Sequence, residues 1–175
     1  SIVEDTIYGA NVTTFLKDNN LPFQTSMADS IRASLNRGVA LMTFFGHASG
    51  TGFDVYVDEP SDYQNKGKYP LMIANSCFSG DIFQNYLTTS EKFVLEPEKA
   101  AWGFIATIST GLPPFLNLYS RTFYEHISYR SYGKTVGECM KRTANDLYTQ
   151  YPGNVFVKIV ALEMSLHGDP AGRVN

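Results

Sequence analysis

Three short apolar runs punctuate the chain: VALMTFF at residues 39–45, YPLMIAN at 69–75 and AWGFIATIS at 101–109. Each is about the length of a strand, rich in β-formers and bounded by turn residues, the pattern of a strand buried on both faces of a parallel sheet. A fourth run, NVFVKIVAL at 154–162, partly alternates and reads as a strand nearer the sheet edge. Between them the period changes. Met27, Ile31 and Leu35 recur every four residues in TSMADSIRASLNRG, with Ser26 available as a cap and Gly38 as a stop. Phe115, Leu118, Tyr119, Phe123 and Ile127 form a second helical stripe, and Val136, Cys139, Met140, Thr143 and Leu147 a third. Val12, Phe15 and Leu16 repeat the helical spacing near the start. Strands alternating with helices predict an α/β sandwich with a mainly parallel sheet. Four strands are few for that architecture, so strands upstream of this stretch are expected to be missing from it.

Composition narrows the function classes. The chain has 175 residues, 43% hydrophobic and 18% charged, with a net charge of -3. That size suits one domain, and the balance is that of a soluble globular protein without a basic field for nucleic acid. No apolar run approaches the roughly 20 residues of a membrane-spanning helix. SIVEDTIYGA has neither the basic start nor the apolar centre of a signal peptide, so a processed chain or an excised piece is expected. Two cysteines allow at most one disulfide.

The chemistry gathers at two strand ends. The first run closes on Gly46-His47 and the second on Asn75-Ser76-Cys77. In open α/β sheets ligands collect outside the carboxyl ends of the strands, and parallel neighbours lie about 4.8 Å apart. An acid-base group would then stand beside a nucleophile. A thiol attacks as thiolate, favoured by a helix amino terminus, and residues 78–87 are candidates to begin one. The Cys77 N–H and those of the turn after His47 are candidate oxyanion donors. Against this stand the commoner states of such residues, a buried cysteine packing as a small hydrophobe and a histidine satisfied in the core. The pairing at two similar strand ends favours a dyad. Cys139 and His126 fall on or beside apolar helical stripes and read as packing residues, while His167 lies in a turn-like SLHGDPAG. No H-x-x-x-H or C-x-x-C spacing points to a metal, and NSCFSG lacks the G-x-S-x-G of a serine nucleophile elbow. The reading needs no cofactor.

FFGHASGTGFD, LMIANSCFSGD, AAWGFIATIST and LHGDPAGRV together resemble the gingipain-type cysteine peptidases, family C25 of the caspase-like clan, over about residues 25–175. The resemblance implies a caspase-like three-layer α/β sandwich, with His47 at the place of the catalytic histidine and Cys77 at that of the nucleophile. It implies oxyanion donors at the backbone N–H groups of Cys77 and Ala48. The family usually shows Gly-His-Gly, whereas this chain has Gly46-His47-Ala48, and alanine lacks glycine's access to positive φ. A basic residue before the cut would require an acid in the specificity pocket, for which Asp54 and Asp58 are candidates; Ser109 and Thr110 line the site by position. The resemblance further implies a peptide or protein substrate, a bacterial secreted or cell-surface location, and contacts with the rest of a larger parent chain. Peptide hydrolysis, transpeptidation and a scaffold without activity all remain open at this point.

Overall fold

The computed structural model describes residues 2–17, 25–55 and 57–174. Its centre is a four-stranded sheet of β1 (Leu41–Phe45), β4 (Leu71–Asn75), β5 (Gly103–Thr107) and β6 (Met164–Gly168), in that spatial order. The first three strands are parallel and β6 runs antiparallel to β5. A small antiparallel hairpin, β2 (Ala48–Ser49) with β3 (Gly52–Phe53), follows β1 directly.

Alternation along β4 divides the core. Leu71 and Ile73 face α3 (Pro113–Glu125), α4 (Val136–Gln150) and α5 (Val155–Glu163), in one cluster with Leu116, Tyr119, Phe123 and Leu147. Met72 and Ala74 face the other way, joining Ile31 and Leu35 of α1 (Thr25–Arg37) and Phe93 of α2 (Thr89–Leu95). Side chains of successive strand residues point to opposite faces, so the sheet is sandwiched between two helical layers. Leu71, Ile73, Phe104 and Ile105 are at most 2% exposed, each contributing about 1.5–3 kcal/mol by burial.

Five expectations need correction. Residues 154–162 form a helix, α5, rather than an edge strand. Asn154 accepts from the Phe156 and Val157 N–H groups as its cap, and Val157 and Val160 are buried three apart; tertiary packing overrides the β-branched propensity. The fourth strand is instead β6, so His167 lies in a strand opposite Phe104 and not in a turn. The run at β1 is not buried on both faces, because β1 is an edge strand in this sheet and Thr43 and Phe45 are exposed. Residues 78–87 form turns; the helix begins at Thr89, where Thr88 and Glu91 make a reciprocal capping box. Residues 11–17 carry no helix despite the Val12, Phe15, Leu16 spacing, and 18–24 lie outside the described residues. The helix predicted with a Ser26 cap opens at Thr25 and stops at Gly38, whose φ is +101°. Among the described residues no helix is long and apolar enough to cross a membrane.

Candidate active site

Parallel pairing between β1 and β4 ends at Phe45 opposite Asn75, and the Gly46 N–H extends the ladder to the Asn75 carbonyl at 3.3 Å. His47 and Cys77 each follow the last rung by two residues. The register therefore places His47 and Cys77 each two residues past a paired position, at the ends of neighbouring strands. Both lie at the carboxyl edge of the sheet.

The hairpin sets what His47 and Ala48 present. The Asp54 N–H donates to the His47 carbonyl at 2.9 Å, so residues 47 and 54 form a hydrogen-bonded pair. Ala48 opposite Phe53 is then a non-hydrogen-bonded pair, and the Ala48 N–H points away from its partner strand. Ala48 is a strand residue without a positive φ. The chain thus accommodates alanine here without left-handed backbone. Gly46 is different: a Cβ there would sit 2.8 Å from Phe44 Cζ and 3.1 Å from Asp54 Oδ1.

Around Cys77 the backbone is stitched to the end of β5. The Phe78 N–H donates to Ser109 O at 2.9 Å, the Gly80 N–H to Thr107 O at 2.9 Å, and the buried Thr107 hydroxyl to Ser76 O. The Ser76 and Ser79 hydroxyls are 3.0 Å apart. These bonds hold Phe78 at φ +55°, a conformation an aromatic residue rarely adopts. A sharp, pinned turn after the strand leaves Cys77 half-buried, its thiol 3.8 Å from Gly111 O. No helix begins at Cys77, so a helix dipole is not what would activate it.

The other candidates fall into two groups. Ser109 joins the site through its bond to Phe78, and Thr110 is exposed just beyond it. The Ile108 N–H donates to the Glu163 carbonyl at 3.1 Å, and burial pushes the Glu163 carboxyl up. Glu163 therefore stands at the same sheet edge, beyond what the sequence indicated. Asp54 sits beside Gly46 but pairs with Lys17 at 3.0 Å. Asp58 is buried and bidentate to Arg32, both contacts at 2.7 Å. His167 lies toward the opposite end of the sheet, its two ring nitrogens buried without partners among the described residues. Cys139 is buried in α4, and burial pushes its thiol up to about 11. His126, buried in a π-helical turn, bonds Ser131 through Nδ1 at 3.0 Å and Asp146 through Nε2 at 3.1 Å. It ties that turn to α4.

The sequence matches Peptidase family C25 over residues 2–175. This chain belongs to that family. Solved structures agree on the fold. The Arg-specific cysteine proteinase gingipain R (RgpB) superposes with a TM-score of 0.70 at 17% identity over 84% of this chain. The complex of the Porphyromonas gingivalis RgpB pro- and mature domains gives 0.71 at 16% over 82%. A further protease structure gives 0.69 at 19% over 80%. The matched region spans 36% of each of those chains. No curated protein matches the sequence. The α/β fold with a mainly parallel four-stranded sheet is that of the gingipain catalytic domain.

Proposed function

We propose that this domain is a cysteine endopeptidase working through Cys77 and His47. The observation that supports the reading best is their placement two residues beyond the same rung of the β1–β4 ladder. The Cys77 thiolate attacks the scissile carbonyl carbon, and the tetrahedral oxyanion takes hydrogen bonds from the Cys77 and Ala48 N–H groups. Protonated His47 gives its proton to the departing amine, leaving a thioester on Cys77. Water then loses a proton to neutral His47 as it attacks the thioester, and the thiolate leaves with His47 again protonated. An amine in place of water gives transpeptidation from the same acyl-enzyme. Ser109, Thr110 and the Asp54 hairpin border the path of the substrate. By kinship with the gingipains we place the parent protein outside the bacterial cell.

The deciding experiment is labelling by a peptidyl thiol-reactive probe, with Cys77→Ala and His47→Ala as controls. Labelling at Cys77 that depends on His47 supports the dyad. Reaction no faster than that of an ordinary exposed thiol makes the domain a scaffold, and product analysis with an added amine separates hydrolysis from transpeptidation.

A further inference from the structure

Residues 78–87, which follow Cys77 without interruption, expose five large apolar side chains: Phe78, Ile82, Phe83, Tyr86 and Leu87. Phe83 is 78% exposed. Scattered surface hydrophobics need no explanation, but a contiguous patch marks an interaction surface. This one is built on a pinned backbone. Besides the Phe78 and Gly80 bonds to β5, the Asp81 N–H donates to Phe78 O and the Ile82 N–H to Gly80 O. The Asp81 carboxylate accepts from the Phe83 N–H and the Gln84 side-chain amide. The apolar groups are therefore displayed by a held scaffold.

The segment runs from the thiol to the histidine hairpin. The Thr89 N–H donates to Gly50 O at 3.0 Å, and a Cβ on Gly50 would lie 2.7 Å from the Tyr86 hydroxyl. Its two ends are thus anchored at Cys77 and at the tip of the hairpin that begins with His47. Phe83 is six residues from Cys77, at most about 20 Å along an extended chain and less across these turns. An extended peptide held at the thiol reaches it within a few residues. Charge also decides. Asp54 is taken by Lys17, Asp58 by Arg32, and Asp81 by its own loop. These three carboxylates are already engaged, and the large exposed side chains that follow Cys77 are apolar, with Gln84 and Asn85 the exposed polar residues among them.

We infer that residues 78–87 form a substrate-docking surface that selects large apolar side chains close to the scissile bond, with Phe83 and Ile82 as anchors. The inference rests on Cys77 as the reacting group and sets the substrate class: extended polypeptide with aromatic or branched aliphatic residues flanking the cut. Aromatic anchors give contact area at low entropy cost.

The test separates docking from catalysis. Binding of fluorescent peptides to the full chain carrying Cys77→Ala is measured by anisotropy, comparing Leu- or Phe-flanked with Arg- or Lys-flanked sequences. Apolar peptides should bind about tenfold tighter, and Phe83→Ser or Ile82→Ser should remove that advantage. Circular dichroism checks that these exposed-site variants remain folded. Equal binding, or preference for basic peptides, overturns the inference. So does a self-associated protein that Phe83→Ser converts to monomer, since the patch then belongs to a second copy. Probe labelling of the wild-type chain reports on Cys77 independently: retained labelling without apolar preference overturns the docking surface alone, whereas lost labelling removes the dyad and, with it, the substrate role of a surface that still binds apolar peptide.

Discussion

The Cys77 thiol lies 3.8 Å from the Gly111 carbonyl oxygen, and a Cβ placed on Gly111 would lie only 2.8 Å from the carbonyl oxygen of Ser76. The residue facing the thiol is thus also the one that cannot grow without pushing the backbone that holds it. Thr107 already bonds that same Ser76 carbonyl from the other strand. Gly111→Ala should therefore cost about 1–3 kcal/mol by overpacking and slow labelling of Cys77 in a chain that still folds. Urea unfolding alongside probe kinetics measures both. Wild-type stability together with wild-type labelling would mean that the Ser76 carbonyl has room to move.

Ala48 carries a different expectation. In the hairpin its backbone is extended and its N–H already points away from Phe53. Restoring the glycine usual in the family should change the labelling rate of Cys77 by less than about threefold, while loosening the strand by about 0.5–1 kcal/mol. A large acceleration in Ala48→Gly would instead mean that the reactive hairpin needs a left-handed backbone at this position.

These residues show what the sequence made legible and what it hid. His47 and Cys77 were visible because each ends an apolar run, and a strand end is a local feature. The helices with long apolar stripes were visible for the same reason. Residues 154–162 read as a strand because Val155, Val157, Ile159 and Val160 carry β propensity; burial against α3 and α4 decides the matter, and packing partners are not local. The start of α2 is legible in Thr88-x-x-Glu91, a capping-box signature ten residues past the start expected at 78. The partners of Asp54 and Asp58 were not readable. Lys17 is 37 residues from Asp54 and Arg32 is 26 from Asp58, so only the folded chain brings them together.

The two thiols should behave as different reagents. Cys139 is buried in α4, and burial pushes its thiol up to about 11, so at neutral pH it is protonated and sheltered. Cys77 is half-buried at the sheet edge. A small disulfide reagent should titrate one thiol in the native chain and both in denaturant, and Cys77→Ala should leave the native chain unreactive. A native Cys77→Ala chain that still reacts within minutes would show that α4 opens readily.

Two histidines make stability sensitive to mild acid. Burial lowers the His126 pKa, reinforced by the Arg130 charge, while Asp146 opposes the shift and Arg142 adds to it. Burial also lowers that of His167, with Glu91 opposing. In the unfolded chain both titrate near about 6.5. Because the folded values lie below that, the unfolded state binds more protons as pH falls, and the neutral rings contribute fully only above the unfolded value. Stability should therefore decline as pH drops from about 7.5 to 5.5, before most carboxylates titrate. His126→Gln should flatten part of that decline, and His167→Gln another part, since the two rings sit in different places and share no partner. Urea midpoints across this range measure the effect. A wild-type midpoint that holds constant or rises toward pH 5.5 would mean that Asp146 and Glu91 offset burial completely and that these rings are charged in the folded protein.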